Sequence, residues 1–271
     1  MPDKSASSKI TFSYLRKFNG AMAGLHFIQA MLMLVSGLLI TNIKEFKIPL
    51  NLFFQSFDPE KLKLVLNSET IGNIPIGPFV SIFLFISAIA HFLVVLPGIN
   101  NFYNSKLQNG INYFRWFEYA LSSSVMIVII AMLFGAVDIG TILLIVGLNA
   151  TMNLLGLMME LHNQTTKKTN WTAFAIGSFA GALPWIVVLM YFLGSAVKTP
   201  DILEQIPWFV YAIFGTYFVL FNLFPINMVL QYKKIGRWRD YLYGERAYII
   251  LSLVAKSLLA WIVFAGTLRP V

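Results

Sequence analysis

Seven stretches of this chain are apolar for long enough to cross a bilayer, and short polar turns separate them. They fall near 17–42, 76–99, 107–134, 138–160, 171–196, 207–231 and 241–268. Most exceed the roughly 20 residues that a spanning helix needs. Turn chemistry separates several of them, at Pro97-Gly98-Ile99-Asn100-Asn101, at Asn163-Gln164-Thr165-Thr166-Lys167-Lys168 and at Lys198-Thr199-Pro200-Asp201. Asp138 stands where it caps the fourth helix after a tight connection. One connection is long, roughly 43–75. It carries two alternating runs around Asp58-Pro59, which predict a β-hairpin outside the membrane. The first apolar segment is too long for a signal peptide and follows a basic N-terminus.

Composition agrees with that pattern. The chain of 271 residues is 58% hydrophobic and 12% charged. The expectation is an all-α membrane protein, a single seven-helix domain over 1–271 with a hairpin in its first external loop. There is no cysteine, so neither a disulfide framework nor a thiolate metal site, and the three histidines lack metal-ligand spacing. The net charge of +8 follows from basic loops and does not call for nucleic acid. Lysines and arginines divide 13 to 6 between the two sides, with Lys256 on neither. The positive-inside rule then puts the N-terminus in the cytoplasm and the C-terminus outside.

Lys256 lies inside the last span, about four turns from either end, too deep for its ammonium to reach water comfortably. A lysine at that depth costs roughly 2.5–3.5 kcal/mol on insertion scales. Glu118, in the third span, is the acid that falls well inside a predicted helix, whereas Asp138, Glu160 and Glu245 fall at helix ends. The simplest solution pairs Glu118 with Lys256. Such a pair has three readings: a structural lock, a transport site, or an aldehyde site. In the last, a buried amine forms a Schiff base and Glu118 is its counterion. An elongated apolar aldehyde needs an aromatic and methionine-lined slot. Phe221, Phe224-Pro225, Trp261, Trp185, Met126 and Met152 are the residues to supply it.

The helix 3 run Arg115-Trp116-Phe117-Glu118-Tyr119-Ala120-Leu121-Ser122-Ser123-Ser124 and the helix 7 run Ser252-Leu253-Val254-Ala255-Lys256-Ser257 resemble those of heliorhodopsins. So does the whole seven-span chain with its cytoplasmic N-terminus. The resemblance implies a homodimer that binds all-trans retinal on Lys256 and photoisomerises it to 13-cis, with Glu118 as counterion. It implies pocket positions at Tyr119, Ser122, Asn149, Met228, Ser252 and Trp261. Ordinary microbial rhodopsins have a second carboxylate where this chain has Ser252, and their pumps have another where it has Ile129. Both replacements remove steps that a proton pump needs.

His26, Gln29, His91, Asn112 and Arg115 gather in the cytoplasmic half and form the expected proton-holding network. Beyond Ser124 the third helix carries no group able to relay a proton. The expected function is light sensing without net transport and without enzymatic chemistry, read by an unknown cytoplasmic signalling partner. The alternatives are a light-driven pump or light-gated channel, a retinal-independent transporter built on Glu118 and Lys256, and a light-regulated scaffold. The basic loop Lys233-Lys234-Ile235-Gly236-Arg237-Trp238-Arg239 reads as an anchor for anionic lipid.

Overall fold

The structure, a computed structural model, describes residues 10–198 and 208–268. The expected turn after Lys198 lies outside the described residues, as do Lys4, Lys9 and Arg269 of the charge count. Nine α-helices and one hairpin are described. In chain order they are α1 (Phe12–Leu39), α2 (Thr41–Glu45), β1 (Lys47–Asp58), β2 (Lys63–Pro75), α3 (Ile76–Val95), α4 (Pro97–Gln108), α5 (Tyr113–Leu133), α6 (Ile139–His162), α7 (Thr172–Lys198), α8 (Trp208–Tyr232) and α9 (Tyr241–Thr267). Seven of them, all but α2 and α4, are long and apolar enough to cross a membrane.

Side-chain caps set several helix starts. Thr11 accepts from Tyr14 N at 3.1 Å, Asn112 from Arg115 N at 3.0 Å, Asp138 from Thr141 N at 2.7 Å and Asp240 from Leu242 N at 3.0 Å. Each satisfies a backbone donor that the first turn leaves free. Helices α7 and α8 continue through Pro184 and Pro225.

Two boundaries differ from the sequence reading. The first helix begins at Phe12, not near 17. The residues after Pro97, expected as a turn, form the separate helix α4, and the third span starts at Tyr113 instead of near 107. Proline fits the first helical position, where its missing N–H is not needed. Gly110, at φ +72°, then breaks α4 from α5.

The hairpin is longer than the two short runs suggested. Its strands pair antiparallel from Lys47 opposite Pro75 to Asp58 opposite Lys63, with one irregularity between Leu50 and Asn51. The turn is held by Asp58 Oδ1, which accepts from Glu60 N at 3.0 Å and Lys61 N at 3.1 Å. Asn51 N donates to Val137 O at 2.8 Å and ties the hairpin to the α5–α6 connection.

Helix α5 is the central element, with 72% of its apolar window buried against 22–39% for the other six spans. It packs on α3, α6, α7 and α8. In its hairpin-side half, Ile127, Ile129, Ile130 and Ala131 are fully enclosed in one apolar core that also takes in Ile213, Leu259 and Val263. The other half holds nearly all the buried charge. This division places the site.

Candidate functional site

Helices α5 and α9 bring Glu118 and Lys256 together. Lys256 Nζ donates to Glu118 Oε1 at 2.5 Å, and both side chains are buried. Ser87 on α3 donates its hydroxyl to the same carboxylate oxygen at 2.6 Å. The Tyr119 ring lies 5.2 Å from the ammonium and adds a cation–π contact. Tyr119 and Tyr217 donate to the α9 carbonyls of Tyr248 (3.0 Å) and Ala255 (2.8 Å), which fixes the helix on either side of Ser252. Ser252 lies one turn before Lys256, and its buried hydroxyl has no hydrogen-bond partner.

Lys256 and Ser252 open onto a cavity of about 430 Å³ between α5, α6, α7, α8 and α9. Of the residues expected there, Tyr119, Ser122, Met126, Met152, Trp185, Phe221, Phe224 and Met228 line it. Trp185 meets Phe221 edge-on at 5.4 Å, and Tyr119 meets Phe224 at 5.2 Å. These are the preferred aromatic geometries. Two glycines make room. A Cβ on Gly156 would collide with the Trp116 ring, and one on Gly181 with Met152 Sδ.

Two expected pocket residues do not line the cavity. Trp261 is 44% exposed on the outer face of α9, where it packs edge-on against Phe264. It stands five residues from Lys256, which turns it about 140° round the helix, away from the cavity. Asn149 is buried but is spent on joining helices: its amide donates to Ser123 Oγ at 2.7 Å and Ser124 Oγ at 3.0 Å.

The polar half contains more charge than the sequence reading assigned to it. Glu160 and Glu245, expected at helix ends, are 1% and 2% exposed. Arg115 bridges them, with Nη2 on Glu160 Oε1 and Nη1 on Glu245 Oε2. Its guanidinium also lies 4.0 Å from the Tyr248 ring. Trp116 Nε1 (2.7 Å) and Asn112 N (2.9 Å) donate to Glu160, while Asn112 Nδ2 (2.7 Å) and the Tyr103 hydroxyl (3.0 Å) donate to Glu245. Arg115 and Asn112 therefore belong to a second ionic cluster beside the Lys256–Glu118 pair. Ser87, Glu160, Glu245 and Tyr103 were absent from the sequence-level site. Nothing in their local sequence separates them from ordinary residues at helix ends and helix faces.

A hollow of about 40 Å³, room enough for a water molecule, lies between these groups. His91, Arg115, Glu118, Glu245 and Ser252 all line it. His91 Nδ1 is 2.7 Å from Asn19 Oδ1. Asn19 Nδ2 donates to Leu15 O, so Oδ1 is the acceptor and His91 Nδ1 carries hydrogen. His26 is fully buried and stacks on His91 at 5.6 Å, with both its ring nitrogens unpaired. Gln29 Oε1 is likewise unpaired, and no hydrogen bond joins Gln29 to the histidines. No metal-binding group of His, Asp and Glu occurs among the described residues.

This arrangement can neutralise one buried cation, take an elongated apolar molecule beside it and hold protons or water on one side of it. Comparison with known proteins narrows the choice. No curated protein matches the chain. A crystal structure of a thermophilic rhodopsin is similar over 93% of both chains, with a TM-score of 0.55 and 13% sequence identity, which shows a shared fold. The sequence profile of the heliorhodopsin family matches residues 15–268. The chain therefore belongs to the heliorhodopsin family, which makes it a multi-pass membrane protein of the retinal-binding rhodopsins.

Proposed function

We propose that the protein is a light sensor in which Lys256 Nζ carries all-trans retinal. The observation that carries this reading is the position of that nitrogen, ion-paired at 2.5 Å and opening onto an apolar cavity of about 430 Å³. The volume is within the usual range for small-molecule sites, roughly 300–1,000 Å³. The unpaired Ser252 hydroxyl and the edge-on aromatic walls suit a long apolar ligand with one polar end. When bound, the chromophore supplies a light-driven all-trans to 13-cis isomerisation beside a protonated imine nitrogen.

The chain's own residues do the rest. Glu118 neutralises the cation on the Lys256 nitrogen, and Ser87 holds the carboxylate in place. Trp185, Phe221 and Phe224 restrict the cavity sideways. A proton released at Lys256 Nζ has, among the described residues, carboxylate and imidazole groups on one side: Glu118, His91 and the small hollow that leads to Arg115 and Glu245. On the other side, the enclosed stretch Ile127–Ala131 of α5 contains no relay group. The proton therefore returns from the side to which it left, and no net transport results. We place the N-terminus and this polar half in the cytoplasm, because the basic residues cluster at that end. A long-lived state formed in this way would act on a partner through the cytoplasmic loops, while the basic turn Gly236–Arg239 anchors anionic lipid. The role is sensory, as expected of a family of photoreceptor type.

The deciding experiment is a visible spectrum of the purified protein after incubation with all-trans retinal. The wild type should absorb in the visible and Lys256→Ala should be colourless. A coloured Lys256→Ala protein would overturn the attachment. A colourless wild type would favour a transporter that uses Glu118 and Lys256 without chromophore.

A further inference from the structure

A larger hollow, of about 830 Å³, lies outside the cavity, between α3, α4 and α5. Ile86, Ile89 and Leu93 form one wall, Phe117 and Leu121 the other, and Glu118 is part of its lining. From Tyr113 to Leu121 the groove follows α5 for about 12 Å at 1.5 Å per residue. Ile89, Phe117 and Leu121 are among the exposed apolar residues. Both walls belong to membrane spans, so what faces the groove is the hydrocarbon of the bilayer.

At the end of the groove, α4 contributes a cation. Lys106 Nζ lies 5.3 Å from the centre of the Phe102 ring and 5.9 Å from that of Tyr113. Among the described residues no carboxylate pairs with it. Helix α4 joins the end of α3 to the start of α5, which puts this ammonium at the membrane surface, directly above the apolar walls. An uncompensated ammonium above an apolar channel matches a molecule with an anionic head and a hydrocarbon tail.

We propose that this groove is a binding site for one anionic phospholipid, with its phosphate on Lys106 and an acyl chain between α3 and α5. The chain end covers the lateral approach to Glu118 and so shields the ion pair of Lys256 from outside the bundle. The site does not depend on the chromophore.

The test is native mass spectrometry of the full-length protein, taken from nanodiscs of equimolar phosphatidylglycerol and phosphatidylcholine. The wild type should retain one phosphatidylglycerol, enriched about five-fold over phosphatidylcholine. Lys106→Ala should abolish the enrichment and Lys106→Arg should keep it. Ile89→Trp, at an exposed wall position, should fill the groove and remove the bound lipid with the charge intact. Melting temperatures of the variants should match the wild type. The proposal fails if Lys106→Ala keeps the enrichment, or if Ile89→Trp still holds the lipid. It also fails if Lys233→Ala with Lys234→Ala, at the start of the basic loop 233–239, removes the lipid instead. A protein dimer that Lys106→Ala dissociates, in place of a lipid adduct, would show that the groove is covered by a second copy.

Discussion

Lys256 and Glu118 are each expensive alone in a low-dielectric interior, and each removes the other's cost. Ser87 occupies part of the carboxylate's remaining hydrogen-bonding capacity, so the acid is held for one direction of interaction. Removing one partner strands a buried charge. Glu118→Leu or Lys256→Met alone should destabilise the chromophore-free protein by about 3–5 kcal/mol, whereas the double replacement should recover most of that loss. Melting of the three variants in detergent measures this; losses that simply add would show that the two groups are independent. This pair was legible in the sequence, because both residues interrupt long apolar runs. The Arg115 cluster was not. Glu160 and Glu245 lie near helix ends, where an acid is ordinarily solvated, and only the packing of α5 against α6 and α9 buries them.

Helices and turns carry the next level of determination. Asp138 caps α6, and its carboxyl is held below the usual carboxylate range, chiefly by the Thr141 backbone N–H. A depressed folded value means that this contribution is fully present above the unfolded value. It is lost as pH falls below about 4. Asp138→Ala should cost about 1 kcal/mol near neutral pH. Wild type and variant should converge in acid, which a pH series of melting curves will reveal. A constant difference down to low pH would refute the cap's ionic character. At the cavity, Gly181 lets Met152 lie against α7. Gly181→Ala drives Met152 into the cavity and should weaken retinal uptake by about 1–3 kcal/mol, the usual cost of overpacking. Titrating chromophore-free protein with retinal tests that outcome, and unchanged uptake would show that Met152 has room elsewhere. Among the described residues, the start of α4 is where turn chemistry pointed the wrong way. Pro97-Gly98 reads as a stop signal but opens a helix, since proline is compatible with a first turn.

At the scale of the bundle, the buried charge of the described residues is segregated. One half of the bundle holds Glu118, His26, His91, Arg115, Glu160 and Glu245, and the other is closed by the apolar core around α5. Illumination of vesicles containing the retinal-loaded protein should therefore give no sustained photocurrent or pH change. A steady current would mean that the apolar half opens during the photocycle. The number of spans, the hairpin, the fold class and the buried lysine with its acid were all determined by the sequence alone. Each depends on local periodicity or on a charge placed in hydrocarbon, and both can be read one segment at a time. Tertiary structure decided what depends on rotation about a helix axis and on contact between distant helices. It turned Trp261 outward, spent Asn149 on Ser123 and Ser124, and sent Arg115 to two acids 45 and 130 residues away. A membrane span looks apolar from every side in sequence, and only its neighbours determine which side faces lipid, cavity or charge.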